Sequence, residues 1–181
     1  MEAAVRGGVD IVQLRDKQAS REDLIPLAEE LKDVCERVGA LFTVNDDVEL
    51  ARLVGADGVH LGEDDDPTPR ARSVLGPDVV VGRSAGGVTG AQEAVEGGVD
   101  YLGVGAVYAT PTKPEGEVAG LELIRALARE NLTVPWFAIG GVTQETAPHV
   151  TEAGAPGFAV VRAILDADDP ESAARTLRAL V

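Results

Sequence analysis

A single cysteine, Cys35, stands in 181 residues, which excludes an intramolecular disulfide framework. Its setting is apolar: Leu24, Leu27, Ala28, Leu31, Val34, Cys35 and Val38 fall on one helical stripe, so Cys35 reads as a small buried hydrophobe. No apolar run approaches the roughly 18 residues that span a bilayer. No charged segment followed by an apolar stretch marks a signal peptide. These absences point to a cytoplasmic protein that does not engage a membrane. Positive charge is also short. Lys and Arg total 16 against 31 Asp and Glu, a net charge of −15. Such a chain does not bind nucleic acid through a diffuse field. Any anion it takes must be held by a few converging cations and backbone N–H groups. The lysines are Lys17, Lys32 and Lys113 alone, and a lysine-poor, acid-rich surface suits a salty cytoplasm.

Several chemistries lack their residues. There is no Ser/His/Asp set, no Cys/His pairing and no zinc spacing, and no G-x-G-x-x-G follows the first strand. His60 lies inside an apolar run and reads as a hydrogen-bonded core histidine; His149 reads as a surface residue of a helix.

What is present is repetition. Short Val- and Ile-rich runs, Val9–Leu14, Leu41–Val44, Gly58–Leu61, Val79–Gly82, Tyr101–Val104, Trp136–Ile139 and Gly157–Val161, alternate with helical patterns. Each run is nearly continuous, as expected for parallel strands covered on both faces. Ser20 with Asp23 forms a cap for the first long helix, and Pro26 predicts a late start or a kink in it. Before the strands a phrase recurs: Gly7-Gly8-Val9-Asp10, Gly55-Ala56-Asp57-Gly58, Gly97-Gly98-Val99-Asp100 and Gly154-Ala155-Pro156-Gly157. A glycine closing a helix before each strand explains the spelling. One βα unit used many times gives a parallel sheet, either a closed barrel or a doubly wound sheet. Met1–Arg6 reads as the tail of a helix, and an eight-fold barrel needs one strand more than the seven visible.

The polar residues cluster just after the strands, where barrels carry their active sites. Gln13, Arg15 and Lys17 alternate on an extended segment and share one face; a guanidinium fork and an ammonium together suit a diphosphate. Asp46 and Asp65 follow adjacent strands, and oxygen ligands from separate loops suit Mg²⁺, which uses one or two carboxylates plus substrate phosphates. Helix capping is the competing role for Asp46 or Asp47. Gly140-Gly141 and the turn at Val161-Arg162 stand where backbone N–H groups bind phosphate. Thr110, Thr112 and Lys113 add hydroxyls and a cation from a long loop. Many anion binders without an evident nucleophile or base suit chemistry in which a phosphate leaves and electrostatics carry the reaction.

Taken in order, Val12-Gln13-Leu14-Arg15-Asp16-Lys17, Asn45–Ala51, Gly58-Val59-His60-Leu61-Gly62, Gly82-Arg83-Ser84, Asp100–Val107 with Thr110–Lys113, and Ala138–Val142 resemble the thiamine phosphate synthase family across essentially the whole chain. The resemblance implies one (β/α)8 TIM-barrel domain over 1–181, truncated at its N-terminus by the first strand and most of the first helix. It implies a Mg²⁺-dependent transferase joining hydroxymethylpyrimidine diphosphate to hydroxyethylthiazole phosphate with release of pyrophosphate. By matching position, Gln13, Arg15, Lys17 and Asn45 hold the pyrimidine diphosphate, Asp46 and Asp65 bind Mg²⁺, and Ser84 and Lys113 grip the departing diphosphate. Thr110, Thr112, Gly141, Val161 and Arg162 receive the thiazole phosphate. Arg15, Lys17, Ser84 and Lys113 are the catalytic candidates. Glu63 and Asp64 replace the family's glutamine and glutamate, and Arg162 replaces a common serine. The partners implied are small phosphorylated substrates, with a homo-oligomer left open. A thiazole tautomerase of the same fold needs no diphosphate site, so Arg15, Lys17, Asp46, Asp65 and Lys113 weigh against it. A barrel that binds phosphates without catalysis, because of the truncation, is the alternative from another class. An aldolase would want a lysine buried mid-barrel.

Overall fold

The structure, a computed structural model, describes residues 1–111 and 117–181. Elements alternate as the repeat requires: α1 (Glu2–Arg6), β1 (Ile11–Leu14), α2 (Arg21–Val38), β2 (Leu41–Asn45), α3 (Val48–Val54), β3 (Gly58–Leu61), α4 (Thr68–Leu75), β4 (Val80–Ala85), α5 (Val88–Glu96), β5 (Tyr101–Val104), α6 (Gly120–Leu127), β6 (Trp136–Ala138), α7 (Ala147–Glu152), α8 (Arg162–Leu165) and α9 (Pro170–Arg178). The strands form one parallel sheet in the order β1-β2-β3-β4-β5-β6. Right-handed helical crossovers are the ordinary way to join such strands. None of the described helices is long and apolar enough to cross a membrane.

The recurring glycines do what their spelling suggests. Gly55 closes α3 at φ 61° and Gly98 precedes β5 at φ 82°, conformations that cost other residues about 1–2 kcal/mol. Ser20 caps α2, accepting from the Asp23 N–H at 3.2 Å. The late start expected from Pro26 does not occur: α2 begins at Arg21 and runs through the proline to Val38.

Two further expectations need correction. The sheet is not an eight-stranded barrel. The seventh run, Gly157–Val161, forms only a bridge between Phe158 and Ala138, with the Ala159 N–H donating to Ala138 O at 2.9 Å. Its partner β6 is three residues long and offers no ladder to extend. The helical layer nevertheless comes round: α1 packs on α9, where Gly7 lies against Ala174, and Arg6 pairs with Glu171 at 3.0 Å.

Nor is the sheet apolar on both faces. Parallel register sets Gln13 beside Thr43, Asn45 beside His60, His60 beside Gly82, Gly82 beside Tyr101, and Ser84 beside Gly103. Side chains alternate along a strand, so these residues share the inner face. The outer face carries Val12, Leu14, Phe42, Val44, Val59, Leu61 and Val81. They pack with Ala28, Cys35, Leu50 and Ala71 of the helices into one core. A second core joins Leu102, Val104, Trp136 and Ala138 to Ile124, Leu127, Val150 and Leu177. Apolar burial thus fixes the sheet from outside and leaves a lumen of glycine and polar side chains.

Candidate active site

The first wall of the site is the β1–α2 turn. Asp16 Oδ1 accepts from the N–H groups of Gln18 and Ala19, at 2.8 and 3.2 Å, and this turn lifts Lys17 toward β2. Lys17 Nζ lies 2.8 Å from Asp46 Oδ2. Gln13 faces the lumen and Arg15 stands exposed just beyond β1. A cleft of about 260 Å³ opens between the ends of β1 and β2 and the starts of α2 and α3, lined in part by Lys17, Arg21, Asn45, Asp46 and Asp47.

The two adjacent aspartates after β2 separate cleanly. Asp47 is the cap of α3: its Oδ1 accepts from the Leu50 N–H at 2.9 Å and its Oδ2 from Arg21 Nε at 2.7 Å. That pairing holds the Asp47 carboxyl below its ordinary value even though burial pushes it up. Asp46 caps no helix and pairs with Lys17 instead. It sits at φ 62°, the one non-glycine residue at positive φ among the described residues. Such a conformation persists where the surroundings hold it, and it clusters at functional sites.

Asp65 completes the group from the β3–α4 loop. The Gly62 N–H donates to Asp65 Oδ2 at 2.6 Å and aims the carboxyl inward. Asp46 and Asp65 stand close enough for each to shift the other's titration. Burial pushes both carboxyls up. In Asp46 the effects of Asp65 and Lys17 outweigh burial and keep it ionised, with the Arg15 charge adding to them. Asp65 is raised, by burial first and then by Asp46 beside it. Arg83 pins the loop from the helix side. Its guanidinium donates to the carbonyl oxygens of Asp66 at 3.0 Å and Glu63 at 2.8 Å. Glu63 Oε1 accepts from the Gly86 N–H at 2.5 Å, which ties the same loop to β4.

Inside the sheet lies a polar chain built on His60, which is the hydrogen-bonded core histidine its sequence setting suggests. His60 Nδ1 is 3.0 Å from the Tyr101 hydroxyl, and His60 Nε2 is 3.1 Å from Ser84 Oγ. Burial lowers the His60 pKa to about 4, with Asp65 opposing and Arg83 assisting, so the ring is neutral near pH 7. Burial pushes the Tyr101 phenol above its ordinary value, with Thr43 and Gln13 opposing the shift. Gly82 makes the room: a Cβ there would fall inside the Tyr101 ring.

At the other end of the sheet, Val107 and Tyr108 donate to the carbonyl oxygens of Ile139 and Gly140 at 2.9 and 3.0 Å, so the loops after β5 and β6 lie together. Gly141 has φ 67°, and a Cβ there would meet Ala109 O at 2.7 Å. Thr110 follows in the same loop. Val161 and Arg162 are exposed at the start of α8, and His149 is exposed on α7. Thr112 and Lys113 lie outside the described residues. The structure therefore brings Lys17, Asp46 and Asp65 into contact, places Asn45 beside them, and sets Ser84 on the inner face with His60 and Tyr101. Tyr101 and Arg83 had no role in the sequence reading; their signals, a glycine opposite a ring and an arginine at a strand end, need the register to be seen.

The match to known proteins covers the whole length. The family model for thiamine monophosphate synthase matches residues 1–164. The thiamine-phosphate synthase of Natronomonas pharaonis is 50% identical over 180 residues, 98% of this chain and 84% of that one. The enzyme of Chloroflexus aurantiacus is 47% identical over 182 residues, all of this chain and 83% of that one. A Synechococcus enzyme is 50% identical over 177 residues, of which this chain spans half the length. Among solved structures, a thiamine phosphate pyrophosphorylase from Pyrococcus furiosus superposes with a TM-score of 0.89 at 35% identity, covering 99% of this chain and 86% of that one. A 3-hexulose-6-phosphate synthase from Salmonella typhimurium, at 19% identity and a TM-score of 0.72, shares the fold alone. The chain belongs to the thiamine monophosphate synthase family and is a transferase of thiamine biosynthesis.

Proposed function

We propose that the chain joins hydroxymethylpyrimidine diphosphate to hydroxyethylthiazole phosphate, with Mg²⁺ as its metal. The observation that carries this reading is the convergence of Lys17, Asp46 and Asp65 at the ends of β1, β2 and β3. Two ionised carboxylates set side by side repel, and a cation between them removes that repulsion. The donors are hard oxygens, and no group of three or more His, Cys, Asp or Glu that could hold a metal occurs among the described residues. Two carboxylates completed by substrate phosphates fit Mg²⁺. Bound by Asp46 and Asp65, Mg²⁺ supplies positive charge for the diphosphate as it departs.

The chain's own residues divide the remaining labour. Gln13 and Asn45 hold the pyrimidine, and Arg15 and Lys17 bind its diphosphate. The bond from the pyrimidine methylene carbon to the diphosphate oxygen breaks, and the electron pair leaves with pyrophosphate. Ser84 and Lys113 hold that leaving group. The thiazole nitrogen then donates its lone pair to the methylene carbon, with Thr110, Thr112, Gly141, Val161 and Arg162 around the thiazole phosphate. No general base is needed, because no proton is removed at the reacting atoms. The same reading makes the six-stranded sheet and the bridged segment at Phe158 an arc of a (β/α)8 barrel. The test is to mix both substrates with Mg²⁺ and follow pyrophosphate. Release that requires both substrates and the metal supports the reading; no release overturns it.

A further inference from the structure

We infer that His60 and Tyr101 are positioning residues that fix which way the Ser84 hydroxyl proton points. The inference rests on the reading above, in which Ser84 faces the departing diphosphate. Three observations carry it. His60 is 7% exposed and its two ring nitrogens each meet a hydroxyl, Tyr101 at 3.0 Å and Ser84 at 3.1 Å. A buried neutral imidazole has one donor and one acceptor nitrogen, so the two hydroxyls cannot be served alike. The ring also cannot wander, because Gly103 leaves it only tight space: a Cβ there would stand 3.1 Å from His60 Cε1.

The direction follows from acidity. A phenol is a far better proton donor than an aliphatic hydroxyl, and an imidazole nitrogen is the stronger acceptor within its reach. Tyr101 therefore donates to His60 Nδ1. The proton of the neutral ring then resides on Nε2, which donates to Ser84 Oγ. With its oxygen already accepting, Ser84 is free to turn its own proton outward. Ser84 thus meets an anion as a donor set in advance, which is the condition for stabilising charge that grows in a transition state. The opposite tautomer would draw the Ser84 proton onto His60 and present lone pairs to a diphosphate.

Nitrogen-15 NMR of the full chain decides the tautomer without reference to activity. The chain has two histidines, and His149→Asn identifies the exposed one. The expected result is a single Nε2–H tautomer for His60, and a mixed ratio in Tyr101→Phe. An Nδ1–H tautomer in the wild type overturns the inference. Kinetics supply the second arm. His60→Leu and Ser84→Ala should each lower kcat about tenfold, the loss expected for one hydrogen bond, with KM for the diphosphate substrate within about twofold. The double variant should be no slower than Ser84→Ala alone, because His60 acts through Ser84. His60→Gln, whose amide N–H can reach Ser84, should recover most of the loss. Additive losses, or no recovery with glutamine, would mark a role in packing and overturn the inference. A wild-type chain that releases no pyrophosphate defeats the functional reading only; the tautomer measurement still judges the direction of the proton.

Discussion

Asp46 and Asp47 are adjacent in the chain and opposed in attachment: Asp47 Oδ1 accepts from the Leu50 N–H at 2.9 Å and caps α3, while Asp46 Oδ2 meets Lys17 Nζ at 2.8 Å. One carboxylate holds the start of a helix and the other holds Lys17. Substitution should separate them. Asp47→Ala loses a cap and should lower stability by about 1 kcal/mol, read as a shift in urea midpoint. Asp46→Asn keeps a residue type that tolerates positive φ and relieves the charge beside Asp65, so its midpoint should hold or rise.

Turnover should show the reverse order. Asp46→Asn and Asp46→Ala should reduce Mg²⁺-dependent pyrophosphate release by about a hundredfold or more, on the order of 3 kcal/mol in the barrier. Full activity in either variant would refute the metal assignment.

Arg15 stands exposed next to Asp46, and its charge helps to keep that carboxyl ionised. Arg15→Ala should weaken binding of the pyrimidine diphosphate at least about tenfold, the scale of one charge-assisted hydrogen bond. Binding of the thiazole phosphate should change far less. Calorimetry that returns equal losses for both ligands would contradict the site as drawn.

His60 gives stability a dependence on pH. The unfolded chain takes a proton on this residue near pH 6.5, whereas the buried ring refuses it until about pH 4. Between those values the unfolded state binds more protons, so stability is full above pH 6.5 and falls as the pH drops toward 4. The loss from this group is about 3 kcal/mol. Urea midpoints at neutral and acid pH should therefore spread further in the wild type than in His60→Gln. Equal spreads would show that His60 takes its proton alike in the folded and unfolded chain.

A net charge of −15 sets repulsion against compactness. Exposed ion pairs such as Arg6 with Glu2 at 3.6 Å each contribute at most about 1 kcal/mol. Screening by salt should relieve more repulsion than it weakens in pairing. The melting temperature should therefore rise from dilute to molar KCl, and greater stability at low salt would sink the idea.

Much of this was legible before any coordinates. The apolar runs, three of them preceded by a glycine phrase, located six strands, and of the charged residues after β1, β2 and β3, Lys17, Asp46 and Asp65 lie together. The lumen was not legible. Thr43 and Tyr101 looked like members of apolar runs because a short strand holds only two or three inward positions, and glycine fills some of those; His60 alone read as a hydrogen-bonded core residue. Only the register shows that Gly82 lies beside Tyr101 and His60. The short seventh strand was overread for a related reason. Val160 and Val161 have the composition of a strand, but β6 ends at Ala138 and gives them no ladder to join. Capping could not be divided between Asp46 and Asp47 either, because the choice depends on where α3 starts.

The packing of the Tyr101 ring over Gly82 has one more consequence. Positions 82 and 101 share a single volume, so neither can change alone without penalty. A methyl at 82 is admissible only if 101 shrinks, for instance Gly82→Ala with Tyr101→Val. That exchange keeps the lumen filled but discards the hydroxyl that meets His60. Sequences able to drift at this spot must therefore cross a state in which the protein is either overfull or chemically mute.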